Sequence, residues 1–171
     1  MNTGATHKPL LASAALAGAL AVSAATAIAA QHPPKEGKFA YRSCWSGTSK
    51  VIALSKTHVA FGFEFTGEVV GDEPGSLFDH ASFRCEGVAG SLGKERFGHV
   101  ICLAIDPSGD KNMTRYTLWK DGKYHREDVG GTGKYEGMVA HAEVEHLGPF
   151  PTIEPGTFQD CNHIVGTYKL K

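Results

Sequence analysis

Past residue 31 the chain has no uncharged or amphipathic run of helical period and length, and none apolar for long enough to span a bilayer. Basic residues are not concentrated anywhere: 17 Lys and Arg stand against 18 Asp and Glu, so nucleic acid is not an expected partner. Cysteine is scarce. No two of Cys44, Cys85, Cys102 and Cys161 lie close enough to form a zinc-ribbon pair. No histidine falls in a nucleophile or acid/base motif; His58, His80, His99, His125 and His163 are scattered.

What is there begins with a leader. Lys8 precedes Leu10 and Leu11 and an uncharged run of Ala, Leu, Val and Gly that ends at Ala27-Ile28-Ala29. This is the pattern of an export signal, with cleavage expected at Ala29/Ala30 or Ala30/Gln31. Its Ala and Gly content gives too little transfer energy for a membrane anchor. Residues 1–30 are therefore read as a cleaved signal peptide and 31–171 as one domain, periplasmic or secreted. The mature chain loses Lys8 and no acid, which leaves a formal charge of about −2. Its length suits one domain that buries roughly two thirds of its unfolded surface.

The mature part alternates with period two. Val59, Phe61, Phe63 and Phe65 share one face of a run, and Met138, Ala140, Ala142 and Val144 share another. Turn signals at 71–75, 106–110 and 121–122 separate about eight strands, near 39–46, 49–55, 58–70, 77–90, 96–106, 113–120, 135–147 and 161–170. That number of short strands points to an all-β fold: a single antiparallel up-and-down barrel or a sandwich, with the barrel favoured. Three prolines in 148–156 make that segment a rim loop.

The cysteines follow from the register. Gly93-Lys94 reads as a two-residue hairpin turn. Pairing outward from Leu92 and Glu95 sets Cys85 opposite Cys102 at a non-hydrogen-bonded position, where Cα atoms lie about 4.5 Å apart and a disulfide fits. By elimination Cys44 pairs with Cys161, between the first and last strands, which are neighbours in a barrel.

Val129-Gly130-Gly131-Thr132-Gly133-Lys134-Tyr135-Glu136-Gly137 looks like a phosphate loop. It lacks the leading glycine (Asp128 stands there) and the Ser or Thr after the lysine (Tyr135 stands there), so it is read as a turn entering a strand. Asp106-Pro107-Ser108-Gly109-Asp110 begins like a calcium loop, but Lys111 replaces the glycine and Thr117 the final acid, so it too is a turn. His141 and Glu143 share a strand face with Glu145, with His146 nearby, a candidate divalent-metal pair weighed against an ordinary solvent face. No cofactor is implied. Small residues at Ala140 and Ala142 against large ones at 59–65 either fill the interior or leave a ligand cavity walled by Phe63, Phe65 and Tyr116.

The stretch Gly131-Thr132-Gly133-Lys134-Tyr135-Glu136-Gly137, after Gly109-Asp110-Lys111, resembles the Gly-Thr-Gly-aromatic-Glu-Gly turn of the allene oxide cyclase-like, calycin-type barrels. With Ser43-Cys44-Trp45-Ser46-Gly47 and Cys161-Asn162 it is also similar to a group of uncharacterised exported bacterial proteins of that barrel type. The resemblance implies an eight-stranded barrel with a largely apolar interior. No cyclase catalytic residue can be carried over. The functional expectation is non-enzymatic binding of a small apolar or amphipathic ligand. The alternatives are a periplasmic protein-interaction or inhibitor module acting through rim loops 71–76 and 148–157, and an isomerase or cyclase. The last needs an ionisable group inside the barrel, and the interior faces deduced from alternation contain none.

Overall fold

The structure is a computed structural model that describes residues 33–171; the expected signal peptide lies outside the described residues. Eight antiparallel strands follow one another in space in chain order: β1 (Glu36–Ala53), β2 (His58–Gly71), β3 (Ser82–Leu92), β4 (Glu95–Ile105), β5 (Lys111–Leu118), β6 (Tyr124–Gly131), β7 (Val139–His146) and β8 (Thr157–Lys169). The sheet order is β6-β5-β4-β3-β2-β1-β8-β7. The sheet thus curls into a nearly closed up-and-down barrel. β1 and β8 pair in continuous register from Glu36↔Lys169 to Thr48↔Thr157. The remaining seam, between β6 and β7, carries no ladder. There the Asp128 carboxylate accepts a hydrogen bond from the Ala140 backbone N–H at 3.1 Å.

The strand count matches the expectation, but two of the eight differ. The runs 39–46 and 49–55 form one strand of 18 residues, β1. Gly47, which reads as a break, faces inward, and a Cβ there would come within 2.5 Å of the Phe65 side chain and 2.9 Å of that of Phe158. The second difference is β6, whose Tyr124, Arg126 and Asp128 face inward on alternate positions and give no apolar rhythm. A bulge between Met113 and Thr114 of β5 shifts its register against β6.

Both disulfides form as expected. Cys85 lies opposite Cys102 and Cys44 opposite Cys161 in their ladders, each pair with Cα atoms 4.1 Å apart. Such bonds belong to an oxidising, extracellular-type compartment.

Alternation sets the inner wall, since every ladder but one keeps a single register. Inward glycines lie under aromatic rings. A Cβ on Gly67 would sit 2.6 Å from Phe83, one on Gly87 2.7 Å from Phe63, and one on Gly166 2.5 Å from Phe39. Small against large therefore holds along the wall.

Candidate functional site

The two ends of the lumen differ. At the end where the 72–81 and 132–138 connections lie, Phe39, Tyr41, Val69, Leu77, Phe78, Ala81, Tyr135, Met138, Ala140, Ile164 and Tyr168 form one buried cluster. Leu77, Phe78 and Ala81 come from the β2–β3 connection, and Tyr135 and Met138 from the β6–β7 connection, so these two segments plug the barrel. Phe78 meets Phe39 edge-on at 5.2 Å and stacks on Tyr135 at 5.5 Å, between ring centroids.

The glycine-rich stretch belongs to this plug. Gly130 and Gly131 end β6, and Gly133–Tyr135 makes one 3-10 turn before β7 begins at Val139. Gly133 has φ of 53°, and a Cβ there would collide with the Asp110 carboxylate at 1.9 Å. Only glycine fits both the angle and the space. The two loops that look like ligand sites bind each other instead. Asp106 accepts from the Ser108 N–H (2.8 Å) and hydroxyl (2.6 Å) and the Tyr135 hydroxyl (3.1 Å), and it pairs with Lys134. Burial opposes ionisation of Asp106, but Lys134, Ser108 and Tyr135 outweigh it and hold the carboxyl below its usual range. Tyr135 is pushed the other way, well above an ordinary phenol, by burial and by the Asp106 charge.

The opposite end is open. Phe61, Phe63, Phe65 and Phe158 face inward and are only half-buried, as are Trp45 and Phe83. Their rings form a continuous surface: Phe61–Phe63 at 5.9 Å, Phe63–Phe65 at 6.0 Å, Phe65–Trp45 at 5.5 Å and Phe65–Phe158 at 6.0 Å. No plug covers these rings, and part of each stays in water.

A polar group joins the two halves. Arg126 reaches inward from β6 with its side chain 10 % exposed, donates to Asp128 at 2.8 Å, and lies 5.4 Å over the Phe78 ring. Burial works against the guanidinium charge, but Tyr116, Tyr41 and Asp128 around it more than compensate, so it stays charged. Tyr41 is held well above an ordinary phenol, chiefly by burial. Asn112 donates to the same Asp128 oxygen at 3.2 Å. Both Asp128 oxygens are thus engaged, one by Arg126 and Asn112 and the other by Ala140 N–H. Arg126 Nε, Asn112 Oδ1 and Asn162 Oδ1 are buried without a partner among the described residues. The expectation of an interior free of ionisable groups is therefore overturned. These residues went unseen because β6 has no apolar alternation; the period-two spacing of Tyr124, Arg126 and Asp128 was the available signal.

Of the expected ligand residues, Phe63 and Phe65 belong to this half-buried ring surface and Tyr116 is the ladder partner of Arg126. Ala140 lies in the sealed cluster and Ala142 packs against it. His141 and Glu143 are exposed on the outer face of β7. Among the described residues no three His, Cys, Asp or Glu side chains gather as a metal site. His146 instead pairs with Asp160 at 2.6 Å, and Glu145 faces His163 at 3.8 Å. The 71–76 and 148–157 segments leave opposite ends of the barrel and do not form one surface. The latter does overhang a groove of about 980 Å³ on the outer wall, lined by Phe150, Ile153, Leu103, Ile105 and Arg84.

The chain matches no protein-family model, no curated protein and no solved structure.

Proposed function

We propose that this is an exported, non-enzymatic barrel protein that takes a small amphipathic molecule into the open half of its lumen. The carrying observation is the inward, half-exposed aromatic surface of Phe61, Phe63, Phe65, Phe158 and Trp45. Rings left reachable by solvent at the mouth of a barrel recover apolar contact when a hydrocarbon group covers them. The unpartnered Arg126 Nε and Asn162 Oδ1 supply polar anchors deeper in, which favours a ligand with a polar head over a plain hydrocarbon. The leader at 1–30 accounts for export, and the Gly131–Gly137 turn for the likeness to allene oxide cyclase-like barrels, whose interiors are apolar.

Native mass spectrometry of the mature protein with added alkyl carboxylates and alkylammonium salts tests this. A saturable one-to-one adduct that is lost in Phe63→Ala supports the reading; no adduct with either series refutes it.

A second reading, a protein-interaction module, draws on the outer groove beneath Phe150 and Ile153. An envelope-extract pull-down lost in Ile153→Asp, with ligand binding intact, would favour it.

A further inference from the structure

We infer that the seam between β6 and β7 takes up an extended segment of another polypeptide chain as an added strand, with basic side chains on its outer face. Every other pair of neighbouring strands in the barrel forms an antiparallel ladder. β6 and β7 meet only beside the plug, where Asp128 accepts from the Ala140 N–H. Nearer the mouth, Tyr124 and Val144 face inward by alternation and yet are 46 % and 50 % exposed.

The ladders on either side show which backbone groups face the seam. Leu147 N–H donates to the Cys161 carbonyl at 2.9 Å in the β7–β8 register, so His141, Glu143 and Glu145 bond to β8. Ala140, Ala142, Val144 and His146 therefore turn their N–H and C=O groups to the seam, and Asp128 takes only the N–H of Ala140. On β6, Trp119 N–H donates to the Lys123 carbonyl at 3.0 Å, which directs His125 and Glu127 to β5 and Tyr124 and Arg126 to the seam. Two rows of backbone donors and acceptors are left without a ladder. An extended backbone is the occupant that matches such rows. β7 also lacks the proline, lysine and bulge that commonly guard an edge.

Charge selects the segment. The outer face of β7 carries Glu143 and Glu145 and no Lys or Arg. At this level the cations of the flanking strands are already held, Arg115 by Glu127 and Arg126 by Asp128. Glu145 has only His163, at 3.8 Å, and Glu143 is in no ion pair among the described residues. Lys120, Asp121 and Lys123 stand across the seam, on the β5–β6 tip. Side chains directly opposite on adjacent strands lie about 5 Å apart, so the outer residues of the added strand meet Glu143 and Glu145 first. Its inner residues lie beside Ala142 and Val144 and are apolar. A second copy of β7 would bring the same acids to that edge.

The probe is a short fluorescein-labelled peptide that alternates lysine and valine, read by anisotropy against the mature protein. The expected result is saturable binding that weakens roughly fivefold in Glu143→Lys and is lost in Val144→Pro. That proline removes an N–H facing the seam and leaves the β7–β8 ladder whole. A peptide N-methylated at alternate residues should also fail to bind, and it decides the matter if the proline variant does not fold. By amide exchange, Ala142 and Val144 should be faster than Glu143 and Glu145 in the free protein and become protected by the peptide. No binding would overturn the proposal, as would binding indifferent to N-methylation or equal binding of a glutamate–valine peptide. So would sedimentation velocity that shows a dimer which Val144→Pro dissociates. Failure here leaves the lumen reading standing, because that is read from small-molecule adducts.

Discussion

The two halves of the lumen are built from the same material and end up with different properties. Both present inward aromatic rings seated over inward glycines. One half adds a plug: Leu77, Phe78 and Ala81 from one connection, with Tyr135 and Met138 from another, bury Phe39 to 2 % exposure. The other half has short β1–β2, β3–β4 and β5–β6 hairpins at its mouth, and Phe61, Phe63 and Phe65 keep part of their surface in water. Stability therefore resides at the plugged end, and the open end leaves apolar ring surface in water. In this barrel the connections, more than the strands, decide which half does which.

Truncation is the sharpest way to break that comparison. Phe39→Ala should cost about 3–5 kcal/mol, the usual loss for a fully buried ring, measured as the urea midpoint at constant slope. Phe61→Ala, in the open half, should cost roughly 1–2 kcal/mol, since less area returns to water. Equal losses would mean that the open half is packed like the sealed one. Asp128→Ala comes next, at about 3 kcal/mol or more, because it strands the buried Arg126 charge and removes the acceptor that holds the β6–β7 seam. Amide exchange should then rise at Ala140 and its neighbours before it rises at Phe61.

A smaller effect comes from pH, and it belongs to the plug. The Asp106 carboxyl is held below its ordinary value in the fold, so the stability it contributes is complete above the unfolded value, near pH 4, and is lost as pH falls through the folded one. Tyr135 and Tyr41 are raised, so their contribution is complete below the unfolded phenol value, near pH 10, and is lost as pH climbs beyond it. Unfolding midpoints against pH should therefore fall at both extremes. Lys134→Met should shrink the acid limb, because it removes the cation that lowers the Asp106 value.

Much of this was legible in the chain. The Gly93-Lys94 turn fixed the β3–β4 register, and the parity of Cys85 and Cys102 about that turn fixed a disulfide; both are local, and alternation carries them faithfully. The Phe61, Phe63, Phe65 face was legible for the same reason. β6 was not, because its alternate residues are Tyr124, Arg126 and Asp128, the last two ion-paired inside the barrel, and so it mimics a solvent-facing stretch. Gly47 misled in the opposite sense, since a glycine that makes room for a ring looks like one that makes a turn. The likeness of 129–137 to a ligand loop dissolved once Asp106 and Asp110 were seen to fill the space a phosphate or cation would take. Only the long-range packing of two loops could reveal that.

The most direct test of the open half uses Trp45, whose ring lies 5.5 Å from that of Phe65. In a Trp119→Phe background Trp45 is the remaining tryptophan, and titration with a bromine-labelled alkyl amphiphile reads its distance from the bound chain. The account predicts saturable quenching at one equivalent, lost in Phe63→Ala. Emission unchanged by the amphiphile, or quenching that grows linearly without saturating, would contradict it.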